Sequence, residues 1–127
     1  MKYAASLVRS HVGGRIAELR AEALSRGIPV VDDETLNFLI LMLSAARPAR
    51  ILEIGTAVGL SAAAMLSHCP QAHLTTIELE EELWREAKRN LGELGFSGRS
   101  TCHLGDAGEI LPMMEGPFDF IFLDGPK

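Results

Sequence analysis

The stretch that decides the fold is Arg50-Ile51-Leu52-Glu53-Ile54-Gly55-Thr56-Ala57-Val58-Gly59-Leu60-Ser61. Its apolar run ends at two glycines four positions apart, and a helix-compatible segment follows, which predicts a buried strand that turns sharply into a helix. Because glycine has no Cβ, backbone N–H groups in such a turn can approach a ligand closely. Glu53 is an acid at a position where packing alone favours an apolar residue. We therefore expect a partner with hydroxyls or positive charge above this strand.

Strand-like and helical runs alternate from this stretch onward. The predicted strands are Arg50–Ile54, His73–Ile77, Ser100–Leu104 and Phe118–Leu123, and the predicted helices are Leu60–His68, Glu80–Leu91 and Ala107–Met114. Lys88 and Arg89 are expected in the last turn of the second of these helices, where they complement the helix dipole. Alternation of strand and helix implies right-handed crossovers and a parallel sheet covered on both faces. The fold class is therefore α/β, a Rossmann-like doubly wound parallel sheet.

The region before the sheet begins with helical patterns. A short helix is expected to end at Gly13-Gly14. A second pattern predicts a helix over Arg15–Arg26, with Gly27 as the residue just beyond its end. These N-terminal helices precede the alternating part of the chain.

A further helix, Glu34–Ala46, is expected directly before the first strand. Asp32 or Asp33 can cap it, because a side-chain oxygen there accepts a hydrogen bond from an unpaired backbone N–H. Its core face consists of Leu36, Leu39, Ile40 and Leu43. We therefore divide the chain into an N-terminal helical segment, residues 1–47, and a sheet-forming unit, residues 48–127.

Composition narrows the classes of protein. The chain has 127 residues and a net charge of −5, so it has no general electrostatic footprint for nucleic acid or an anionic membrane. Its two cysteines have no metal-ligand spacing, and no signal peptide or membrane-spanning run is present, which favours a cytoplasmic protein. Because the chain stops one turn after an apolar strand, we expect a fold truncated after its fourth strand.

Acids and glycines follow each of the four predicted strands. They are Glu53 with Gly55–Gly59, then Glu78, then Gly105-Asp106-Ala107, and finally Asp124. In a doubly wound sheet, ligands bind outside the carboxyl ends of the strands, so these residues predict a ligand site.

The spacing of the glycines limits what the ligand is. The dinucleotide fingerprint requires glycines where this chain has Ala57 and Leu60, and the phosphate-binding loop with its Lys-Ser or Lys-Thr end is absent. This disfavours a nicotinamide-dependent oxidoreductase and favours a neutral or cationic nucleoside. Glu78 suits a ribose diol, because a carboxylate accepts hydrogen bonds from both hydroxyls. Asp106 suits an adenine edge.

The segment Glu53–Ser61 resembles the first motif of class I S-adenosylmethionine-dependent methyltransferases. More narrowly, the chain from about Val30 to its end is similar to bacterial O-methyltransferases related to catechol and caffeoyl-CoA O-methyltransferases. This resemblance implies that residues 48–127 form the cofactor-binding half of a methyltransferase domain. Some proteins of this kind methylate 5-hydroxyuridine in tRNA instead of a small molecule.

The resemblance also implies roles for single residues. Val31, the Gly55–Gly59 turn and Ser61 hold the methionine moiety, Glu78 binds the ribose, and Asp106 with Ala107 borders the adenine. The full set of expected cofactor-binding residues is Val31, Glu53, Gly55, Thr56, Ala57, Gly59, Ser61, Glu78, Asp106, Ala107 and Asp124.

A D-x-x-K sequence after the fourth strand completes the expected site. The resemblance assigns Asp124 as a metal ligand and Lys127 as the catalytic residue. Oxygen ligands of this kind suit Mg²⁺, or alternatively Mn²⁺ or Ca²⁺.

The expected function is methyl transfer from S-adenosylmethionine to a hydroxyl oxygen, with help from a divalent metal. The acceptor is a small catechol-like molecule or, as an alternative, 5-hydroxyuridine in tRNA. A non-catalytic nucleoside-binding or dimerisation fragment is a rival from another class. A homodimer is expected.

Overall fold

A parallel sheet of four strands forms the centre of the protein, for which a computed structural model describes residues 11–124. The strands are β1 (Arg50–Ile54), β2 (His73–Glu78), β3 (Ser100–Leu104) and β4 (Phe120–Leu123). Their order in the sheet is β3-β2-β1-β4, and every neighbouring pair is parallel. The chain thus moves outward from β1 to β3 and then returns to lie beside β1. This reversal between β1 and β4 is the topological switch point at which such sheets bind ligands.

Five α-helices accompany the sheet within the described residues. They are α1 (His11–Ser25), α2 (Asp33–Ala46), α3 (Leu60–His68), α4 (Glu81–Glu93) and α5 (Ala107–Ile110), with 3-10 turns at Ser97–Arg99 and Leu111–Met113. Each predicted strand and helix from Glu34 onward is present, with ends that differ by up to two residues or, at Ala107–Met114, by a change to 3-10 geometry. The predicted Rossmann-like α/β fold is therefore confirmed.

Helix α1 begins earlier than the sequence pattern predicts. The expected break at Gly13-Gly14 is wrong, because α1 runs through both glycines. A mid-helix glycine costs about 1 kcal/mol, and Gly13 is buried, so packing of α1 against α3 outweighs this cost. The earlier part of the expected short helix lies outside residues 11–124. At the other end Gly27 terminates the helix as predicted, and the Ile28 N–H donates to the Ala23 carbonyl at 3.0 Å.

Helix α4 is longer than predicted, and Lys88 and Arg89 are consequently not in its last turn. The helix continues because the residues after them are buried. The Asn90 side chain donates to the Val58 carbonyl at 2.9 Å, and Leu91 is 1% exposed. Tertiary contacts therefore override the local signal that Gly92 provides.

Strand β4 is shorter than predicted and begins at Phe120 instead of Phe118. The reason is Asp119, whose carboxylate accepts the Ala49 N–H at 2.6 Å and the Arg50 N–H at 3.1 Å. These bonds join the two strand starts through a side chain before the regular ladder begins. They also hold the pKa of Asp119 below its usual value.

The N-terminal helices and the sheet share one hydrophobic core. The predicted core face of α2 is buried, and Asp32 caps the helix by accepting the Thr35 N–H at 2.7 Å. The largest cluster includes Ile16, Leu36, Leu39, Ile40, Leu43, Ile51, Ala62, Ala63, Met65, Leu66, Leu74 and Leu91. Helices α1 and α2 therefore pack onto α3 and help to position the start of that helix at the switch point.

The opposite face of the sheet is open at β4. Phe120 and Phe122 pack against the core, whereas Ile121 and Leu123 are 58% and 69% exposed. The expected cover on both faces is therefore not met at this strand by the described residues. No helix in residues 11–124 is long and apolar enough to cross a membrane.

Candidate functional site

The turn after β1 has an unusual backbone. Gly55, Ala57 and Gly59 all have positive φ, at 97°, 48° and 86°. The N–H of Gly55 donates to the Ile77 carbonyl at 2.9 Å, which draws the turn over the end of β2. Ala57 adopts a left-handed conformation that disfavours residues with a Cβ by about 1–2 kcal/mol. Other contacts must hold this turn in place.

Glu78 at the end of β2 is one of those contacts. Its side chain is 7% exposed; Oε1 accepts the Ala57 N–H at 2.7 Å, and Oε2 accepts the Glu80 N–H at 2.9 Å. This carboxylate therefore braces the turn and the start of α4. Each oxygen has a further lone pair, so the geometry also leaves acceptor capacity for a diol.

Gly59 has a packing role besides any contact with a ligand. It is the residue that caps α3, and a Cβ there would lie 3.3 Å from the Cα, Cβ and carbonyl oxygen of Ala87 in α4. Together with its φ of 86°, this close approach requires glycine. The second glycine of the motif is therefore required by the close packing of the turn against α4 as well as by the conformation of the turn.

Glu53 lies at the centre of a buried polar network. The residue is 0% exposed, and its Oε1 accepts the Thr76 hydroxyl at 2.8 Å while Oε2 accepts the Ser61 hydroxyl. Thr56 and Thr76 share a further hydrogen bond at 2.5 Å between their Oγ1 atoms. The hydroxyls expected above the strand are present, but they belong to the protein itself. Glu53 is therefore buried beneath the site, where it contacts Ser61 and is not exposed itself.

Burial raises the pKa of Glu53 to about 7. The hydrogen bonds from Ser61 and Thr76 oppose this rise, whereas the negative charges of Asp124 and Glu78 add to it. Near neutral pH this carboxyl group is consequently present in both protonation states.

The ends of β3 and β4 lie beside the same edge. The N–H of Gly105 donates to the Glu78 carbonyl at 2.9 Å, which brings Asp106 and Ala107 next to the end of β2. Asp106 is exposed and starts α5 without a capping hydrogen bond from its side chain. Asp124 is also exposed, and its N–H donates to the Ile54 carbonyl at 2.8 Å. The structure therefore brings all four strand ends together, as the sequence predicts.

Val31 and Ser61 share a small cavity on the α1 side of the turn. Its volume is about 20 Å³, and its lining consists of Ile16, Arg20, Val30, Val31, Leu36, Leu60 and Ser61. Sequence reasoning missed Arg20, whose Nη2 donates to the Val31 carbonyl at 3.2 Å. The signal was available: Arg20 follows the buried Ile16 by one helical turn and precedes the buried Ala23. A charged residue between two core positions of a helix indicates that a polar group lies on that otherwise apolar side.

The expected metal site is not assembled by the described residues. Among residues 11–124 no group of three or more His, Cys, Asp or Glu side chains could hold a metal ion. Asp124 alone does not provide the six or more oxygen ligands that Mg²⁺ or Ca²⁺ takes, some of which are waters. Lys127, the expected catalytic residue, lies outside the described residues.

Comparisons with known proteins agree with this geometry. A family model described as a methyltransferase domain matches residues 52–127. A catechol O-methyltransferase from Mycobacterium tuberculosis is 35% identical over 93 residues, which cover 72% of this chain and 42% of that protein. A catechol O-methyltransferase from Niastella koreensis is 33% identical over 96 residues, covering 72% and 43%. The chain thus spans less than half the length of these two relatives.

Solved structures share the fold. The O-methyltransferase TomG from Streptomyces achromogenes, in complex with S-adenosylmethionine, has a TM-score of 0.78 at 27% identity and covers 92% of this chain and 54% of its own. An O-methyltransferase from Bacillus cereus, in complex with S-adenosylhomocysteine, has a TM-score of 0.77 at 26% identity, covering 87% and 53%. The resemblance to S-adenosylmethionine-dependent O-methyltransferases is confirmed, and the chain belongs to the methyltransferase domain family.

Proposed function

We propose that this chain binds S-adenosylmethionine and forms the cofactor half of an enzyme that transfers its methyl group to a hydroxyl oxygen. The observation that carries the proposal is the meeting of four strand ends at the switch point, with Glu78 braced against the Ala57 N–H at 2.7 Å. Two solved relatives with this fold bind S-adenosylmethionine or its demethylated product, which supports the same ligand here.

Each part of the cofactor has a matching group at this edge. Glu78 offers acceptor oxygens to the ribose hydroxyls, while Asp106 and Ala107 border the adenine. The turn from Gly55 to Gly59, with Val31 and Ser61, holds the methionine moiety. The acids around the turn also favour a positively charged sulfonium over a pyrophosphate, since opposite charges attract across a partly buried site.

The chemistry requires little of the protein beyond alignment and removal of one proton. The sulfonium already activates the methyl group, and holding donor and acceptor in line can supply about 7–11 kcal/mol of the barrier. Lys127 is the proposed general base, as the resemblance implies. Metal assistance by Mg²⁺, Mn²⁺ or Ca²⁺ also stays part of the proposal, with Asp124 as one ligand. The described residues alone do not fit such an ion.

A small hydroxylated molecule is the acceptor that we propose. Two curated relatives are named catechol O-methyltransferases, and the net charge of −5 disfavours a nucleic-acid substrate. We also propose a cytoplasmic location, supported by the free thiols of Cys69 and Cys102.

We propose a homodimer as well. The exposed apolar side chains Phe38 and Leu41 on α2, at 63% and 54% exposure, support it. Sedimentation velocity would give the mass of a dimer. A monomer mass at every concentration would contradict this part of the proposal.

Calorimetric titration with S-adenosylhomocysteine, with and without Mg²⁺, tests the central proposal. We expect binding by the native chain and binding about tenfold weaker in Asp106→Ala, since that side chain would contact the adenine through a charge-assisted hydrogen bond. Asp106 is exposed and makes no capping bond, so the variant should unfold at the same urea concentration as the native chain. No heat of binding in the native chain, with or without Mg²⁺, would overturn the proposed function.

A further inference from the structure

We propose that Arg20 of α1 determines specificity for the cofactor by recognising the carboxylate of its methionine moiety. The inference rests on the proposed function, because it assumes that S-adenosylmethionine occupies the turn beside Ser61. It adds a cationic residue from the N-terminal helices to a site otherwise built from strand ends.

The cavity next to the turn is small, and most of its walls are aliphatic. Its volume is about 20 Å³, which is room for a group of about the size of one water molecule. Among the described residues that line it, Arg20 is the one charged side chain and Ser61 the one hydroxyl. The cavity can therefore take the terminal carboxylate of an amino-acid tail, whereas the rest of the tail must lie outside it.

The hydrogen bond that Ser61 already makes explains why a cation is needed in this cavity. The Ser61 hydroxyl has one proton, and it donates this proton to Glu53. Ser61 cannot donate to a second carboxylate while it makes that bond. When Glu53 is ionised, a donor other than the Ser61 hydroxyl must therefore satisfy an incoming anion.

The negative charges around the turn also require a cation near the carboxylate of the cofactor. Asp124 and Glu78 lie close enough to the buried Glu53 for their negative charges to raise its pKa. They attract the sulfonium and the ammonium group of the cofactor and repel its carboxylate. The guanidinium of Arg20, on the α1 side of the cavity, offsets that repulsion and allows the whole zwitterion to bind.

The present partners of Arg20 leave it able to accept this ligand. Nη2 donates to the Val31 carbonyl at 3.2 Å, which fixes the side chain against the cavity wall. Nη1 lies 3.6 Å from Oδ1 of Asp33, whose side chain is 60% exposed. An exposed ion pair of this kind contributes at most about 1 kcal/mol, and a guanidinium has five donors. A ligand carboxylate can therefore bind Arg20 without a large loss elsewhere.

A pair of ligands that differ at the carboxylate tests the proposal. S-adenosylhomocysteine carries the amino-acid tail, whereas 5′-methylthioadenosine has the same nucleoside and thioether without it. By calorimetric titration of the full chain, Arg20→Gln should bind S-adenosylhomocysteine about tenfold more weakly and 5′-methylthioadenosine as the native chain does. Arg20→Lys should recover part of the loss, because it restores the charge without the fork of donors.

Arg26→Gln is the matched control. It removes an arginine from the end of the same helical region, where the guanidinium pairs with Glu86 at 2.8 Å outside the cavity. Both ligands should bind this variant as they bind the native chain.

The possible results separate the two proposals. Equal loss of both ligands in Arg20→Gln, or loss of neither, would overturn the role of Arg20 and leave cofactor binding intact. Failure of the native chain to bind either ligand would overturn the proposed function and this inference with it. Urea unfolding of each variant identifies a loss that arises from misfolding, in which case Arg20→Lys decides the outcome.

Discussion

Some side chains at the switch point stabilise the fold although they are polar and buried. Glu53 is the clearest case, since it is an acid with 0% exposure inside a sheet. It is tolerated because both oxygens accept hydroxyl protons and because its raised pKa lets it become neutral. An unpaired buried charge would destabilise the fold by far more than these hydrogen bonds stabilise it.

Replacing Glu53 should change how stability depends on pH. The folded-state pKa of about 7 lies above the ordinary value of 4.5, so the folded state binds the proton more tightly. The stabilisation from this proton is full below about pH 4.5 and is lost as the pH rises through 7. In Glu53→Gln, which cannot titrate, the free energy of unfolding should fall less over this interval than in the native chain. Urea denaturation at half-unit pH steps measures the difference.

The matched comparison for this residue is Glu82→Gln, which removes an exposed acid from the first turn of α4. Its stability should follow the native pH curve with a small constant offset. If the Glu53→Gln and native curves were parallel between pH 4.5 and 7, the buried carboxyl would not be the group that titrates.

At the scale of the elements, caps and tertiary contacts decide where helices begin and end. Helix α2 starts where its sequence predicts, because Asp32 supplies a local cap. Helix α4 ends later than its sequence predicts, because Asn90 is held by the Val58 carbonyl from a distant turn. Local signals suffice only where no long-range contact competes with them.

Removing the cap of α2 should destabilise the protein by about 1 kcal/mol. In Asp32→Ala the Thr35 N–H loses its acceptor at 2.7 Å, whereas Asp32→Asn retains an oxygen in that position. Urea denaturation at pH 7 should therefore order the chains as native, Asn variant and Ala variant. Glu34→Ala serves as the control, since Glu34 is exposed in the same turn and is not the cap. Equal stability of the Ala and Asn variants would show that the capping bond contributes nothing.

Sequence patterns predicted the strands and the sheet edge at which their ends meet. They did not predict the hydrogen-bond partners of the buried polar side chains. The strands were predictable because each is a short apolar run followed by turn residues. The bond from Thr76 to Glu53 joins residues 23 positions apart and depends on the register of β1 against β2. The placement of Arg20 against Val31 depends likewise on how the chain after α1 folds back along that helix. Such contacts follow from the assembled fold and have no local pattern.

At the scale of the whole molecule, the described sheet has an open side. Within the described residues β4 is an edge strand, and Ile121 and Leu123 expose apolar surface on the face that the core does not cover. Unpaired backbone groups beside exposed apolar side chains favour pairing with another chain. Within residues 11–124, the core covers one face of the sheet, whereas the edge at β4 favours association with another chain.

Polar substitution at this edge should reduce self-association of the chain. In Ile121→Thr/Leu123→Thr both positions carry the β-branched residue threonine, so strand propensity is maintained while exposed apolar area falls. Light scattering at increasing protein concentration should be lower than for the native chain, with little change in the urea midpoint. Leu24→Gln is the control, because it removes an exposed apolar side chain from α1, away from the edge. Unchanged scattering in the β4 variant, or an equal decrease in both variants, would contradict a specific role for β4.

The contact between Gly59 and Ala87 has a mechanical consequence for the site. Because a Cβ at Gly59 would lie only 3.3 Å from Ala87, the turn and α4 sit at a spacing that neither can change alone. Glu78 adds a second tie between them through the N–H groups of Ala57 and Glu80. The turn that we propose to contact the cofactor is therefore held against α4 at two points. Although it is a loop by conformation, buried contacts fix its position.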